Sequence, residues 1–249
     1  MESMVAIRGL CKSFGPIRAV DDISFDVRRG EVLGFLGPNG AGKSTTMKMI
    51  TGFLTPSAGT ARICGHDVAA APVKAKARIG YLPEGAPAYP DMTPAAFLGF
   101  IADIRRVPSS IRRSRIDFAI ERTQLRQVLH QPIETLSKGF KRRVGLAQAI
   151  LHDPEVLILD EPTTGLDILA TSDMIEFIAG RKAGRRCVLF STHVLSEAER
   201  LCDRIGILYG GRLLGVGSLA ELSLATGEKF LDGIFRSLVK GAQGASAAR

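Results

Sequence analysis

The stretch VLGFLGPNGAGKST, residues 32–45, decides the fold. Its first five residues are a short apolar run, the pattern of a strand buried on both faces of a sheet. Gly37, Pro38, Asn39, Gly40, Ala41, Gly42, Lys43, Ser44 and Thr45 follow and fit G-x-x-x-x-G-K-[ST], with a helix expected from about residue 42 to 51. Each part has a physical task. The three glycines let the backbone approach phosphate oxygens with no Cβ in the way. The N–H groups of the loop and of the helix N-terminus supply a concentrated positive field. Lys43 adds a full charge for the β- and γ-phosphates, and the Ser44 hydroxyl is placed to ligand Mg²⁺. The loop therefore predicts ATP and Mg²⁺. A glycine-rich turn can match by chance, but the flanking strand and helix, with an acidic strand further on, outweigh that reading.

That acidic strand is residues 156–159, closed by Asp160 and Glu161. A strand aims successive side chains to opposite faces, so the two carboxylates take different roles. Asp160 is expected to hold Mg²⁺ through water. Glu161 is expected to polarise the attacking water as general base, a role worth ~10²–10⁴-fold in rate. His193, in FSTH at residues 190–193, closes another apolar strand. A lone histidine is more often structural, but the end of a parallel strand is where ligands collect. His193 is therefore the candidate contact for the γ-phosphate and the attacking water.

Working outward, residues 5–10 and the alternation Ile23, Phe25, Val27 show the period of two of half-buried strands, and Arg29 with Gly30 closes that hairpin-rich start. The glycines across residues 57–67 predict another strand pair, and residues 79–82 a short strand stopped by Pro83. Thr93 reads as an N-cap with Pro94 at the first helical position. Helical pattern then runs to about residue 126, with Phe97, Phe100, Ile104, Ile116 and Ile120 on one side and arginines on the other. A second helix is expected from Ser137 to about residue 152. Strands return at 156–159, 188–191 and 205–208, separated by helical stretches, which argues for a parallel sheet with crossover helices. The expected fold is α/β: a P-loop nucleotide-hydrolase core with a mainly parallel sheet, an N-terminal antiparallel β region and an inserted α-helical subdomain. Expected boundaries are 1–219 for the hydrolase domain, with the insert at about 91–152, and 220–249 for a helical extension. From Ser218 two short helices are expected, with Phe230, Ile234 and Leu238 on one apolar face, and residues 241–249 read as disordered.

A chain of 249 residues is long enough for one large domain or two small ones. No apolar run approaches the ~20 residues a membrane-spanning helix needs. The start MESMVAIRGL lacks the layout of a secretory signal. The expected place of action is the cytoplasm, unless a partner carries the chain elsewhere. Cys11, Cys64, Cys187 and Cys202 are scattered and make no CxxC, so inert free thiols are expected. The four histidines show no metal-ligand spacing. Part of the net charge of +8 sits at Arg105 and Arg106, at residues 112–115 and at residues 141–143. No aromatics alternate with these as a stacking platform for bases would require, so they read as solvated helix faces and no nucleic acid is expected.

Leu136-Ser137-Lys138-Gly139-Phe140, followed by the acidic strand and then Thr164-Gly165-Leu166-Asp167, completes an ordered set of motifs. Across residues 5–221 that set resembles the ATP-binding subunits of ABC transporters, whose usual form of the first segment is Leu-Ser-Gly-Gly-Gln. A phosphate loop alone marks a broad class of nucleotidases; this segment and the motif order narrow it. The resemblance implies an ATP hydrolase that drives a separate transmembrane permease subunit and is held on the inner face of the cell membrane through it. It implies a second ATP-binding subunit, taken as an identical chain, in a head-to-tail dimer. Ser137 reads as a helix N-cap, so its hydroxyl and the N–H groups that follow make an anion site. The resemblance puts the γ-phosphate of the opposite subunit's ATP there, against Ser137, Lys138 and Gly139. Asp167 matches the loop that lies across the interface. Phe14, in KSFG at residues 12–15, matches the aromatic position that stacks on adenine, with a place in the core as the alternative.

Three departures matter. Glu84 stands where the family has a glutamine that touches Mg²⁺ and senses the membrane partner, and a carboxylate still ligates that ion. Lys138 replaces a glycine and adds a charge toward the partner's phosphate. Phe140 replaces the glutamine of a capping box. These changes are expected to tune turnover without abolishing it. The segments LPE at 82–84, LSKG at 136–139 and STHVLSEAE at 191–199 together resemble exporter subunits of the multidrug, sodium-extrusion and gliding-motility group. The alternative is a soluble ABC ATPase acting on ribosomes or DNA. Such proteins carry two motif sets or long coiled-coil or zinc insertions, and this chain has one set and neither insertion.

Overall fold

The computed structural model describes residues 3–85 and 89–247. The chain begins β1 (Ser3–Phe14), β2 (Ile17–Arg28), β3 (Val32–Leu36), α1 (Lys43–Ile50), β4 (Ala58–Ile63), β5 (His66–Asp67), α2 (Pro72–Ala77) and β6 (Ile79–Leu82). Next come α3 (Pro94–Ile104), α4 (Ser109–Arg122), two short 3-10 turns and α5 (Lys138–Ile150). It then runs β7 (Val156–Asp160), α6 (Ile168–Ala183), β8 (Cys187–Thr192), α7 (Leu195–Leu201), β9 (Arg204–Tyr209), β10 (Arg212–Gly217), α8 (Leu219–Thr226) and α9 (Leu231–Ala247).

Two sheets result. The antiparallel one has the order β2-β1-β4-β5, and the larger one the order β10-β9-β3-β8-β7-β6. In the larger sheet β9, β3, β8, β7 and β6 pair in parallel, and β10 joins the edge antiparallel. The central strands carry apolar side chains on both faces. Val156, Ile158, Cys187 and Leu189 pack toward the antiparallel sheet and α1, whereas Leu157, Leu159, Val188 and Phe190 pack toward α5 and α6 with the helical residues between β6 and β7. Alternate side chains of one strand therefore feed two separate cores, which is why these runs read as continuously apolar. A third, smaller core joins Leu36, Ile205 and Ile207 to Leu222, Leu231 and Ile234 of the C-terminal helices.

The structure departs from the sequence reading in several places. The helix expected from 93 to 126 is two helices: Pro108 removes an N–H, and Arg106 takes a left-handed φ of 52° at the corner. Phe97 and Ile120 are buried as expected, but Phe100 and Ile104 are exposed. The tail is not disordered from residue 241: α9 continues to Ala247, and Gln243 Nε2 donates to the Tyr209 hydroxyl at 2.8 Å, while residues 248 and 249 lie outside the described residues. Ile234 is buried on that helix, but Phe230 precedes it and is exposed. None of the four cysteines is in a disulfide among the described residues, and burial pushes the thiols of Cys187 and Cys202 well above their ordinary range.

Gly80 on β6 shows how closely α5 approaches the sheet. A Cβ there would sit 2.1 Å from the carbonyl oxygen of Ala149 and 2.8 Å from a ring carbon of Pro154. Gly80→Ala is expected to cost about 1–3 kcal/mol through overpacking. Chemical denaturation should show a lower midpoint at unchanged slope; a wild-type midpoint would contradict the contact.

Candidate functional site

Because β3, β6, β7 and β8 run in parallel, their C-terminal ends lie along one edge, where the sequence-predicted residues gather. Residues 37–45 leave β3 and enter α1. Gly40 and Gly42 take φ of 80° and 97°, and a Cβ on Gly42 would come within 2.7 Å of the Ala19 carbonyl oxygen, so β2 packs against the loop. Lys43 is almost fully buried and donates from Nζ to the carbonyl oxygens of Gly37 at 2.7 Å and Pro38 at 3.1 Å.

The ends of β7 and β8 meet the loop. Asp160 and Ser191 are partners on one rung of the ladder, and Ser191 Oγ donates to Asp160 Oδ1 at 2.6 Å. Ser44 Oγ donates to the same oxygen at 3.1 Å. Asp160 Oδ2 is buried with no hydrogen-bond partner among the described residues. An orphaned carboxylate oxygen beside a serine hydroxyl is a hard-oxygen donor set that fits Mg²⁺. No group of three or more His, Cys, Asp or Glu side chains that could hold a metal occurs among the described residues. The fit is thus to an ion that takes most of its ligands from phosphate and water, as Mg²⁺ does.

Glu161 follows Asp160 with a left-handed φ of 48°, rare for a residue with a Cβ. The turn points its carboxylate at Lys43 Nζ and His193 Nδ1, each 3.4 Å from Oε1, while Thr164 donates to Oε2 at 3.1 Å. Ser191 Oγ accepts from the Glu161 N–H at 2.9 Å. Burial raises the Glu161 pKa, but the Thr164 hydroxyl, Lys43 and His193 together outweigh it and hold the carboxyl below its ordinary value.

The other sequence candidates lie apart from this cluster. Phe14 is 49% exposed at the β1–β2 turn with Lys12 Nζ 5.2 Å from its ring centre, so it is not a core residue. Glu84 is exposed, and its carboxylate is not bonded to Ser44 or Asp160. Ser137 caps α5, its Oγ accepting from the Phe140 N–H at 3.4 Å even though Phe140 cannot complete a capping box. No hydrogen bond or ion pair among the described residues joins Ser137, Lys138 or Gly139 to residues 37–45. Lys138 folds over Gly165, where an added Cβ would meet its side chain at 2.6 Å. Asp167 caps α6, with Oδ1 accepting from the Ala170 N–H at 2.8 Å.

Sequence reasoning missed Ser191, Thr164 and Arg142. The first two lie inside segments that were quoted, FSTH at 190–193 and TGLD at 164–167, but were given no role there. Arg142 corrects an expectation: residues 141–143 read as a solvated basic face, yet Arg142 is buried and its guanidinium bonds to main-chain carbonyls of both the Glu84 and the Glu161 segments. Three adjacent cations gave no hint that the middle one points inward.

The ABC transporter family model matches residues 20–164 of this chain. The chain is 37% identical over 219 residues to Nod factor export ATP-binding protein I of Ralstonia nicotianae (strain ATCC BAA-1114 / GMI1000), covering 88% of this chain and 68% of that one. It is 35% identical over 227 residues to the ABC transporter ATP-binding protein NatA of Bacillus subtilis (strain 168), covering 90% and 92%. Among solved structures, an ATP-binding subunit of an ABC transporter superposes with a TM-score of 0.89 at 31% identity, covering 95% of this chain and all of that one.

Among the groups that hold Glu161 low, the Thr164 hydroxyl is the strongest. Thr164→Ala should therefore raise the Glu161 pKa, so that the carboxylate takes up its proton at higher pH. A ¹³C titration of labelled glutamate carboxyls reads the shift; an unmoved titration would remove Thr164 from this account.

Proposed function

The chain belongs to the ABC transporter family as an ATP-binding and ATP-hydrolysing subunit of an ATP-driven transporter, and from that premise we propose how its residues divide the work. The observation that carries the proposal is the convergence of Lys43, Glu161 and His193 within 3.4 Å contacts at the ends of three strands.

In this reading residues 37–45 cradle the ATP phosphates. The backbone N–H groups of Asn39, Gly40, Gly42 and Thr45 are assigned to the anion, whereas those of Gly37 and Ala41 donate to the carbonyls of Thr192 at 3.4 Å and Pro38 at 3.2 Å, and Lys43 exchanges its carbonyl partners for the β- and γ-phosphates. Ser44 and Asp160, together with Glu84, are the residues that would hold Mg²⁺, and the ion would supply positive charge to neutralise the phosphates. Glu161 takes the proton of the attacking water, and its depressed pKa keeps it ionised at neutral pH. His193 holds the opposite side of that water and contacts the γ-phosphate. Phe14, exposed at the β1–β2 turn, is assigned to stacking on adenine.

Ser137 and Lys138 are exposed at the N-terminus of α5, with Gly139 half-buried behind them, and no hydrogen bond or ion pair among the described residues ties them to residues 37–45. We assign them to the ATP held by a second, identical subunit in a head-to-tail dimer. Asp167 then lies across the interface, and Ile168 and Leu169 beside it, 88% and 78% exposed, supply apolar surface for it to bury. ATP binding closes the pair, and hydrolysis with product release reopens it.

The membrane partner is proposed to be a separate permease, as the likeness to ATP-binding subunits of ABC transporters suggests. Its proposed seat is the surface around the Glu84 loop, where Phe53, Tyr89 and Phe100 are exposed and the rings of Tyr89 and Phe100 meet at 5.4 Å. In this reading the subunit sits on the cytoplasmic, inner face of the membrane, held there by the permease. Residues 1–219 are proposed as the ATPase domain, with 91–152 as its helical insert and 220–249 as an extension. An export direction rests on the motif combination and on the exporting relative.

Glu161→Gln is expected to keep ATP binding, lose about 10²–10⁴-fold in turnover and run as an ATP-dependent dimer in gel filtration. Full turnover in that variant would remove the base assignment. A species that binds ATP and stays monomeric would remove the pairing.

A further inference from the structure

Arg142 lies one turn into α5, 4% exposed, and no salt bridge among the described residues holds it. Its charge is spent on main-chain carbonyls instead. Nη1 donates to Pro83 at 2.6 Å and Glu84 at 2.7 Å, Nη2 donates to Asp160 and Glu161, and Nε donates to Pro162 at 3.3 Å. A guanidinium is planar and its N–H donors form one rigid fork. Here one edge of the fork holds the segment after β6 and the other holds the segment after β7.

The strand ladder does not make that connection. Pairing of β6 with β7 ends at the rung Leu82–Leu159, so beyond it the Glu84 and Glu161 segments have no shared backbone bonds in register. Arg142 takes over at that point. Glu161 also sits in a left-handed conformation, which persists only where the surroundings over-determine it. Three consecutive carbonyls gripped by one guanidinium, at Asp160, Glu161 and Pro162, are such a surrounding. A cation buried only to fill space or to cap a helix would not need to bridge two loops of the nucleotide site.

We propose that Arg142 is a positioning residue for hydrolysis: it sets the backbone that carries Glu161 by reference to the Glu84 segment and to α5. A displacement of either is then passed through the rigid fork to the Glu161 carboxylate. The inference rests on the proposed role of Glu161 in proton transfer and extends it to a residue that touches neither nucleotide nor water. Lysine cannot substitute, because a single ammonium on a flexible stem does not span both segments.

The test is Arg142→Lys in the full chain, with Arg142→Gln as a second variant that keeps amide donors for one segment only. Both are expected to fold, bind ATP and keep the wild-type KM, while kcat falls by about 10²-fold, the scale of a small misplacement at a reacting centre. Combined with Glu161→Gln, Arg142→Lys should slow turnover no further, since the carboxylate it positions is already gone. Wild-type kcat in both folded variants overturns the proposal, as does loss of ATP binding in step with kcat, which marks a purely structural role. The same fold loss on the Glu161→Gln background also overturns it, because Arg142 then acts elsewhere. If Glu161→Gln itself turns over at the wild-type rate, the base assignment fails and takes this inference with it. If Glu161→Gln is inactive and the Arg142 variants are not, only the inference fails.

Discussion

Parallel pairing of β3, β8 and β7 is the constraint from which the site follows. Each strand is buried on both faces, and its alternate side chains enter different cores. A slip of one residue would move Leu157 and Leu159 into the space of Val156 and Ile158, so register is strongly specified. The register fixes the Asp160–Ser191 rung, and that rung sets the distances among Ser191, Asp160 and Ser44. The polar atoms that converge there are placed by apolar packing several residues away.

The helical residues between β6 and β7 add a second dependence. The α5 helix packs close enough to β6 that Gly80 has no room for a Cβ, and the same helix carries Ser137 at its N-terminus and Arg142 one turn on. One rigid element thus touches the Glu84 segment, the Glu161 segment and the surface assigned to a second subunit. For a helix to report on all three it must be braced. Leu146, Ala147 and Ile150 brace it in the core shared with Phe190 and Leu159.

Much of this was legible in the sequence because the informative signals were local. The phosphate loop, the acidic strand end and the N-caps at Thr93 and Ser137 are patterns within a few residues, and their geometry is set by backbone chemistry that any fold must obey. What was hidden depends on contacts distant in the chain. Arg142 sits between Lys141 and Arg143 and looks like its neighbours until α5 is laid across β6 and β7. The exposure of Phe100 and Ile104 is likewise invisible to periodicity, since an apolar helical face buries itself against core or partner alike. Pro108 carried a signal for the break at Arg106 that the reading of helix through to residue 126 passed over, and the length of α9 had no such signal: its last turns have weak local propensity and are held by Gln243 reaching Tyr209.

The nearly buried pair of Lys43 and Glu161 links substrate binding to base strength. Lys43 divides its charge between two loop carbonyls and the Glu161 carboxylate, and its proximity helps hold that carboxyl low. A carboxylate held this way is ionised but a weak acceptor of protons. Movement of the Lys43 ammonium toward a phosphate would by itself raise the pKa of Glu161, because an opposite charge is withdrawn. Under the proposed assignment, the lysine that would hold the phosphates therefore also bears on the carboxylate that is to act on the attacking water.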